Sequence, residues 1–240
     1  LPLALEVVGS NLFSKRIEEW KSTLDQYKKT NKVIQKILKV SFDGLEEDEK
    51  RVFLDISCCF KGHTVKEVED ILSAHHGEYM KYAMRVLVLI KIDSTNCVTL
   101  HDLIENMGKV IVRQESPEEP GKRSRLWFHK DAVEVLEANL GTSQIEIMYL
   151  DIPLYEEVVE WKGDEFKKME NLKTLIIKNG LFSKGPEHLP NSLRVLEWSG
   201  YPSQHIPSDF CPRKLSICKL PASCLTLFEL HGSLKACVVI

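Results

Sequence analysis

The 240-residue chain has no G-x-x-x-x-G-K-[S/T] phosphate loop, no G-x-S-x-G elbow, no H-E-x-x-H helix and no G-x-G-x-x-G turn. Each would mark a common nucleotide, hydrolase, zinc or dinucleotide site, so the chain is not expected to be an enzyme in its own right. Its seven cysteines (Cys58, Cys59, Cys97, Cys211, Cys218, Cys224 and Cys237) include no C-x-x-C pair, which argues against a zinc ribbon or a thioredoxin-like motif. The reducing cytosol suits such scattered thiols, and a cytoplasmic location, with the nucleus as a second compartment, is expected. Neither charge sign dominates: 32 Lys and Arg stand against 35 Asp and Glu, for a net charge of −3. No apolar run reaches the ~18 residues of a membrane span. The opening Leu1-Pro2-Leu3-Ala4-Leu5 has neither an initiator Met nor a basic region. It reads as the interior of a longer protein rather than a signal peptide.

What is present is helical periodicity over the first ~140 residues. Ile17, Trp20, Leu24 and Tyr27 form one stripe, and Val33, Ile34, Ile37 and Leu38 a second that stops at Asp43-Gly44. Val52, Phe53, Ile56, Cys59 and Phe60 predict a third helix. Thr64 to Glu67 is a capping box opening a helix with Val65, Val68, Ile71 and Leu72 on its apolar face. A helix over 79–88 follows. Two β-like runs, 89–92 and 97–100, then flank the polar turn Asp93-Ser94-Thr95-Asn96. Leu103, Ile104, Met107, Val110 and Ile111 return to helical spacing. Helices followed by a hairpin suggest a winged helix. The prolines and glycine of 116–121 predict a loop, and Trp127 anchors a short helix ending near 139–141.

Beyond residue 143 the period changes. Ile145, Met148 and Leu150 recur as Leu172, Leu175 and Ile177, as Leu193, Leu196 and Trp198, and as Leu215, Cys218 and Leu220. The steps between these triplets lie within the roughly 20–29 residues of a leucine-rich repeat, in which each unit gives one strand to a shared core. The predicted fold is therefore mainly α followed by α/β. It comprises a helical lobe (1–45), a winged-helix lobe (46–140) and the start of a leucine-rich-repeat solenoid (141–240).

Two candidate sites arise from residue chemistry. Val52-Phe53-Leu54-Asp55 has the outline of a Walker B strand, but its helical neighbours make Asp55 a polar position on a mostly buried helix. His101-Asp102 follows the second β-like run and opens a helix. An imidazole beside free helix amides could receive a phosphate; the plainer reading has Asp102 capping the helix and His101 packed at the hairpin's end. His63, His75 and His76 raise a metal question, with ordinary core or surface roles favoured.

Several motifs resemble those of plant disease-resistance proteins of the TIR-bearing nucleotide-binding, leucine-rich-repeat class. Leu1-Pro2-Leu3-Ala4-Leu5 resembles the end of the Gly-Leu-Pro-Leu-Ala motif of the NB-ARC domain. Phe53 to Phe60 resembles the motif that marks the TIR-bearing class. Leu100-His101-Asp102 is similar to the Met-His-Asp motif, and Arg123 to Trp127 to the segment that joins the switch to the repeats.

The resemblance implies ADP or ATP held by the complete parent, with none bound by this piece alone. Pro2 would lie near the adenosine, His101 at the β-phosphate, and Asp102 would support the histidine's loop. It further implies a phosphate loop and a TIR domain upstream, a pathogen effector or guarded host protein as partner, and self-assembly on activation. A DNA role is not expected, because the 64–74 helix carries Glu67, Glu69 and Asp70 against Lys66. The alternative is a nucleotide-independent repeat scaffold from a truncated or degenerate receptor.

Overall fold

The computed structural model describes residue 39, residues 42–77, 89–153 and 158–226, and the backbone of 236–239. The expected helical stripes at 17–27 and 33–38, the 79–88 helix and Pro2 lie outside the described residues.

Helix α1 (Glu47–Asp55) starts with Glu47, Asp48 and Glu49 in its first turn, where the positive end of the helix dipole favours carboxylates. The predicted apolar stripe does not continue as a regular α-helix to Phe60. From Ile56 to Phe60 the chain is wound one residue wider, closing on Lys61 N–H to Ile56 O at 3.0 Å. The Ser57 hydroxyl donates to Leu54 O at 3.2 Å, a side-chain bond that competes with the regular ladder. All five residues of this π turn are buried.

Helix α2 (Val65–His76) carries the predicted cap: Thr64 Oγ1 accepts Glu67 N–H, and the Glu67 carboxylate accepts Thr64 N–H at 3.1 Å. Strands β1 (Lys91–Ile92) and β2 (Val98–Thr99) pair antiparallel. Their turn is held by Asp93, whose carboxylate accepts the amides of Thr95 and Cys97. Helix α3 (Asp102–Glu115) follows and buries Ile104, Met107, Gly108 and Val112.

The loop after α3 is stapled by Arg123, whose guanidinium donates to Ser116 O and Pro117 O and pairs with Asp131. Strand β3 (Arg125–Leu126) leads into α4 (His129–Glu137). Then come β4 (Ile147–Asp151), β5 (Thr174–Lys178), β6 (Val195–Trp198), β7 (Ile217–Leu220) and β8 (Ala236–Val239). Strands β3 to β8 form one parallel sheet in chain order.

The predicted triplets fall into register. Met148 pairs with Leu175, Leu175 with Leu196 and Leu196 with Cys218, and each of these four is fully buried. Trp198 is likewise enclosed, with Trp161, Phe166, Phe182 and Tyr201 around it at ring separations of 5.0–6.4 Å. The opposite face of the sheet is buried as well. Ile147, Ile176, Val195 and Ile217 join the core built from α1, the π turn and α2. The sheet is thus shared between two cores, one on each side.

Candidate functional site

His101 stands where the hairpin turns into α3, and it is the helix cap. Its backbone is extended (φ −63°, ψ 139°), and its Nδ1 accepts Leu103 N–H at 3.2 Å. The plainer expectation that Asp102 caps the helix is corrected: Asp102 is the first helical residue, and the ring one position earlier takes the orphan amide. With Nδ1 accepting that amide, a neutral ring would present Nε2 as its donor.

Asp102 itself is exposed and bonds Lys61 Nζ at 3.0 Å. The same ammonium bonds the half-buried Glu105 at 2.5 Å, and Glu105 also takes Lys109 at 2.6 Å. The hydrogen bond from Lys61 holds the Asp102 carboxyl below its ordinary value, and the bond to Glu105 raises the Lys61 ammonium. Negative charge at the start of α3 is therefore matched locally by lysine.

A second polar cluster lies deeper. Asp55 is fully buried; one oxygen meets Arg125 Nε at 2.6 Å and the other His76 Nε2 at 2.6 Å. Burial pushes this carboxyl up, but the Arg125 charge and the His76 bond outweigh it and hold it well below the carboxylate range. Arg125 also donates to Arg51 O and to the Ser124 hydroxyl.

The neighbouring His75 puts Nδ1 at 2.9 Å from Thr174 Oγ1 and Nε2 at 3.5 Å from Glu146, both on the sheet side. His63 approaches Lys178 at 3.3 Å and the edge of Tyr149. His75 and His63 thus join the helical part to the sheet, while His76 ties α2 to α1 through Asp55. Cys58 and Cys59 are buried, which pushes the Cys58 thiol up to about 12 and the Cys59 thiol well above its ordinary value, disfavouring the nucleophilic thiolate at both.

Two adjoining clefts sit against the sheet rather than at His101. One, of about 420 Å³, runs between Glu67, Asp70 and Ile71 of α2 and Arg194, Lys214 and Ile217. The other, of about 560 Å³, includes Lys173, Arg194, Arg213 and Lys214. Sequence reasoning singled out His101 and Asp102 as candidates and read Asp55 as a buried polar position, as it is. It missed Arg125, His76 and Lys61 as partners. Pro2 falls outside the described residues.

Residues 46–116 match the family described as disease resistance protein Roq1-like, winged-helix domain. The chain is 37% identical over 216 residues to TMV resistance protein N of Nicotiana glutinosa, covering 88% of this chain and 18% of that protein. It is 35% identical over 231 residues to disease resistance protein RPP2B of Arabidopsis thaliana, covering 90% and 19%. With disease resistance protein RUN1 of Vitis rotundifolia it shares 34% over 247 residues, covering 90% and 18%. The chain spans about a fifth of the length of these curated relatives. Among the described residues no helix is long and apolar enough to cross a membrane.

Proposed function

We propose that this chain, which belongs to the plant disease-resistance proteins, is the back half of an ADP/ATP switch in an immune receptor of the TIR-bearing nucleotide-binding, leucine-rich-repeat class, continued by the first leucine-rich repeats. The single observation that carries the switch reading is the His101 ring, anchored at the start of α3 through Nδ1, which accepts Leu103 N–H; a neutral ring held this way would carry its proton on Nε2. An Nε2–H donor beside the positive end of a helix suits a terminal phosphate oxygen. The Lys61 bond to Asp102 supports this, since it offsets an exposed carboxylate that would repel a phosphate there. An ADP bound to the complete receptor would supply the charge whose loss or exchange the switch reports; the residues here would orient it and carry the change to the sheet.

The lobe assignment follows the same reading. Residues 46–140 make the winged-helix lobe and 141–240 the opening repeats; the helical lobe expected over 1–45 lies almost wholly outside the described residues. Parallel strands in chain order, with the middle triplet residue paired from β4 through β7 and the third paired from β4 through β6, support a leucine-rich-repeat solenoid. Effector or host-protein recognition by the repeats, self-assembly on activation and a cytoplasmic setting are parts of this proposal. No reaction is assigned to the chain's own residues.

The test is His101→Ala in the full-length receptor, read as release of labelled ADP. Loss of a charge-assisted hydrogen bond predicts release faster by on the order of tenfold, with signalling shifted toward autoactivity. Unchanged release and unchanged signalling would contradict the proposal.

A further inference from the structure

The π turn Ile56–Phe60 carries a tie at each end. Before it stands Asp55, buried and held by Arg125 Nε at 2.6 Å and by His76 at 2.6 Å. Arg125 lies on β3, the first strand of the sheet. The last residue of the turn, Phe60, meets Tyr149 of β4 edge-on at 6.5 Å. After it stands Lys61, which bonds Glu105 at 2.5 Å and Asp102 at 3.0 Å in the first turn of α3, directly behind His101. Between the two ties the turn lies hard against α3. A Cβ placed on Gly108 would sit 2.0 Å from Ser57 Oγ and 3.3 Å from a Phe53 ring carbon.

We propose that this π turn is a rigid link from the sheet to His101, with Arg125 as its anchor and Lys61 as the positioning residue that fixes the His101 cap. The role of Lys61 rests on the reading of His101 as a phosphate contact; the mechanical link does not.

The physical argument concerns which displacement is easier. If the sheet shifts, Arg125 shifts with it. Asp55 must then follow, or a desolvated ion pair must open and leave its charges uncompensated. A single turn closed by its own backbone bond transmits that movement to Lys61 and to the Gly108 contact instead of absorbing it. Single π turns inside helices recur at functional positions because they set side chains at angles a regular helix cannot. Lys61 is one residue past the turn, and its two carboxylate partners lie on the helix that His101 caps. A movement at the sheet therefore reaches the imidazole through one turn of chain and one ammonium group.

The closing experiment measures hydrogen exchange at the Leu103 amide, the donor to His101 Nδ1, in the 240-residue chain carrying Lys61→Met, Arg125→Lys, and both. Lys61→Met is expected to speed exchange on the order of tenfold. Arg125→Lys is expected to speed it too, and the double variant to exchange no faster than the quicker single one. Rate increases that multiply would show two independent effects and overturn the link. Should Arg125→Lys fail to fold, His76→Gln replaces it, loosening the other Asp55 oxygen while keeping a donor. In the full-length receptor, Lys61→Met should also hasten ADP release. Coupled exchange with unchanged ADP release sustains the link and removes the phosphate role of His101; uncoupled exchange removes the link whatever ADP does.

Discussion

His75 shows how much of this molecule is decided by single polar side chains placed between its two halves. It sits on the last turn of α2, is 2% exposed, and reaches Thr174 and Glu146 on the sheet side. Burial is the main cause that lowers its pKa, only partly offset by Glu146, and burial followed by the Lys178 charge lowers that of His63. For a base whose folded pKa lies below its unfolded value, the folded state binds fewer protons. The stability linked to it is complete above the ordinary histidine value near 6.5 and is lost as pH falls below that. The melting temperature should therefore fall between pH 7 and pH 5, and His75→Gln should flatten that fall. An identical pH slope in the variant would remove His75 as its cause. Asp55 works in a different range: held down by Arg125 and His76 against its burial, its contribution is present above about pH 4 and lost as pH falls toward its folded value of about 2. The sequence placed Asp55 on a buried helix but could not supply its partners, because Arg125 is 70 positions away and the pairing depends on how the sheet docks.

Among the elements, the capping box at Thr64, the hairpin around Asp93 and the register of the sheet triplets were legible, since each depends on local spacing or turn chemistry. The π turn was not. Its residues keep the apolar pattern of a regular helix, and the distinguishing bond is one backbone amide reaching one residue further. The cap of α3 was assigned to the wrong neighbour for a related reason, since Asp is a common cap and a ring nitrogen an uncommon one. Packing of the π turn on α3 gives a direct test at Gly108. Ala is the better helix former by about 1 kcal/mol, yet its Cβ would meet Ser57 Oγ at 2.0 Å. Gly108→Ala should therefore destabilise by roughly 1–3 kcal/mol, as overpacking does, and Ser57→Gly should restore much of the loss. A stabilised Gly108→Ala protein in denaturant melts would show that the turn yields, and with it the rigid link.

At the scale of the whole molecule, the sheet has a core on each face. Trp198 and its aromatic neighbours fill one side, while Ile147, Ile176, Val195 and Ile217 face α1, the π turn and α2 on the other. That second face was hidden in the sequence. Strands buried on both sides read as continuous apolar runs, so Thr174 to Ile177 shows no alternation to reveal which residue faces which core. Residues 143–240 expressed alone would lose β3 and uncover Ile147, Ile176, Val195 and Ile217, and are expected to self-associate in sedimentation, whereas a monomeric peak with cooperative melting would mean that the helices are not needed as a cover. The central claim, that these helices present His101 to a nucleotide's terminal phosphate, is tested most directly by phosphorus NMR of ADP bound to the complete receptor. With His101→Ala, the β-phosphorus resonance should move while the α-phosphorus resonance stays in place; two unmoved resonances would contradict the account.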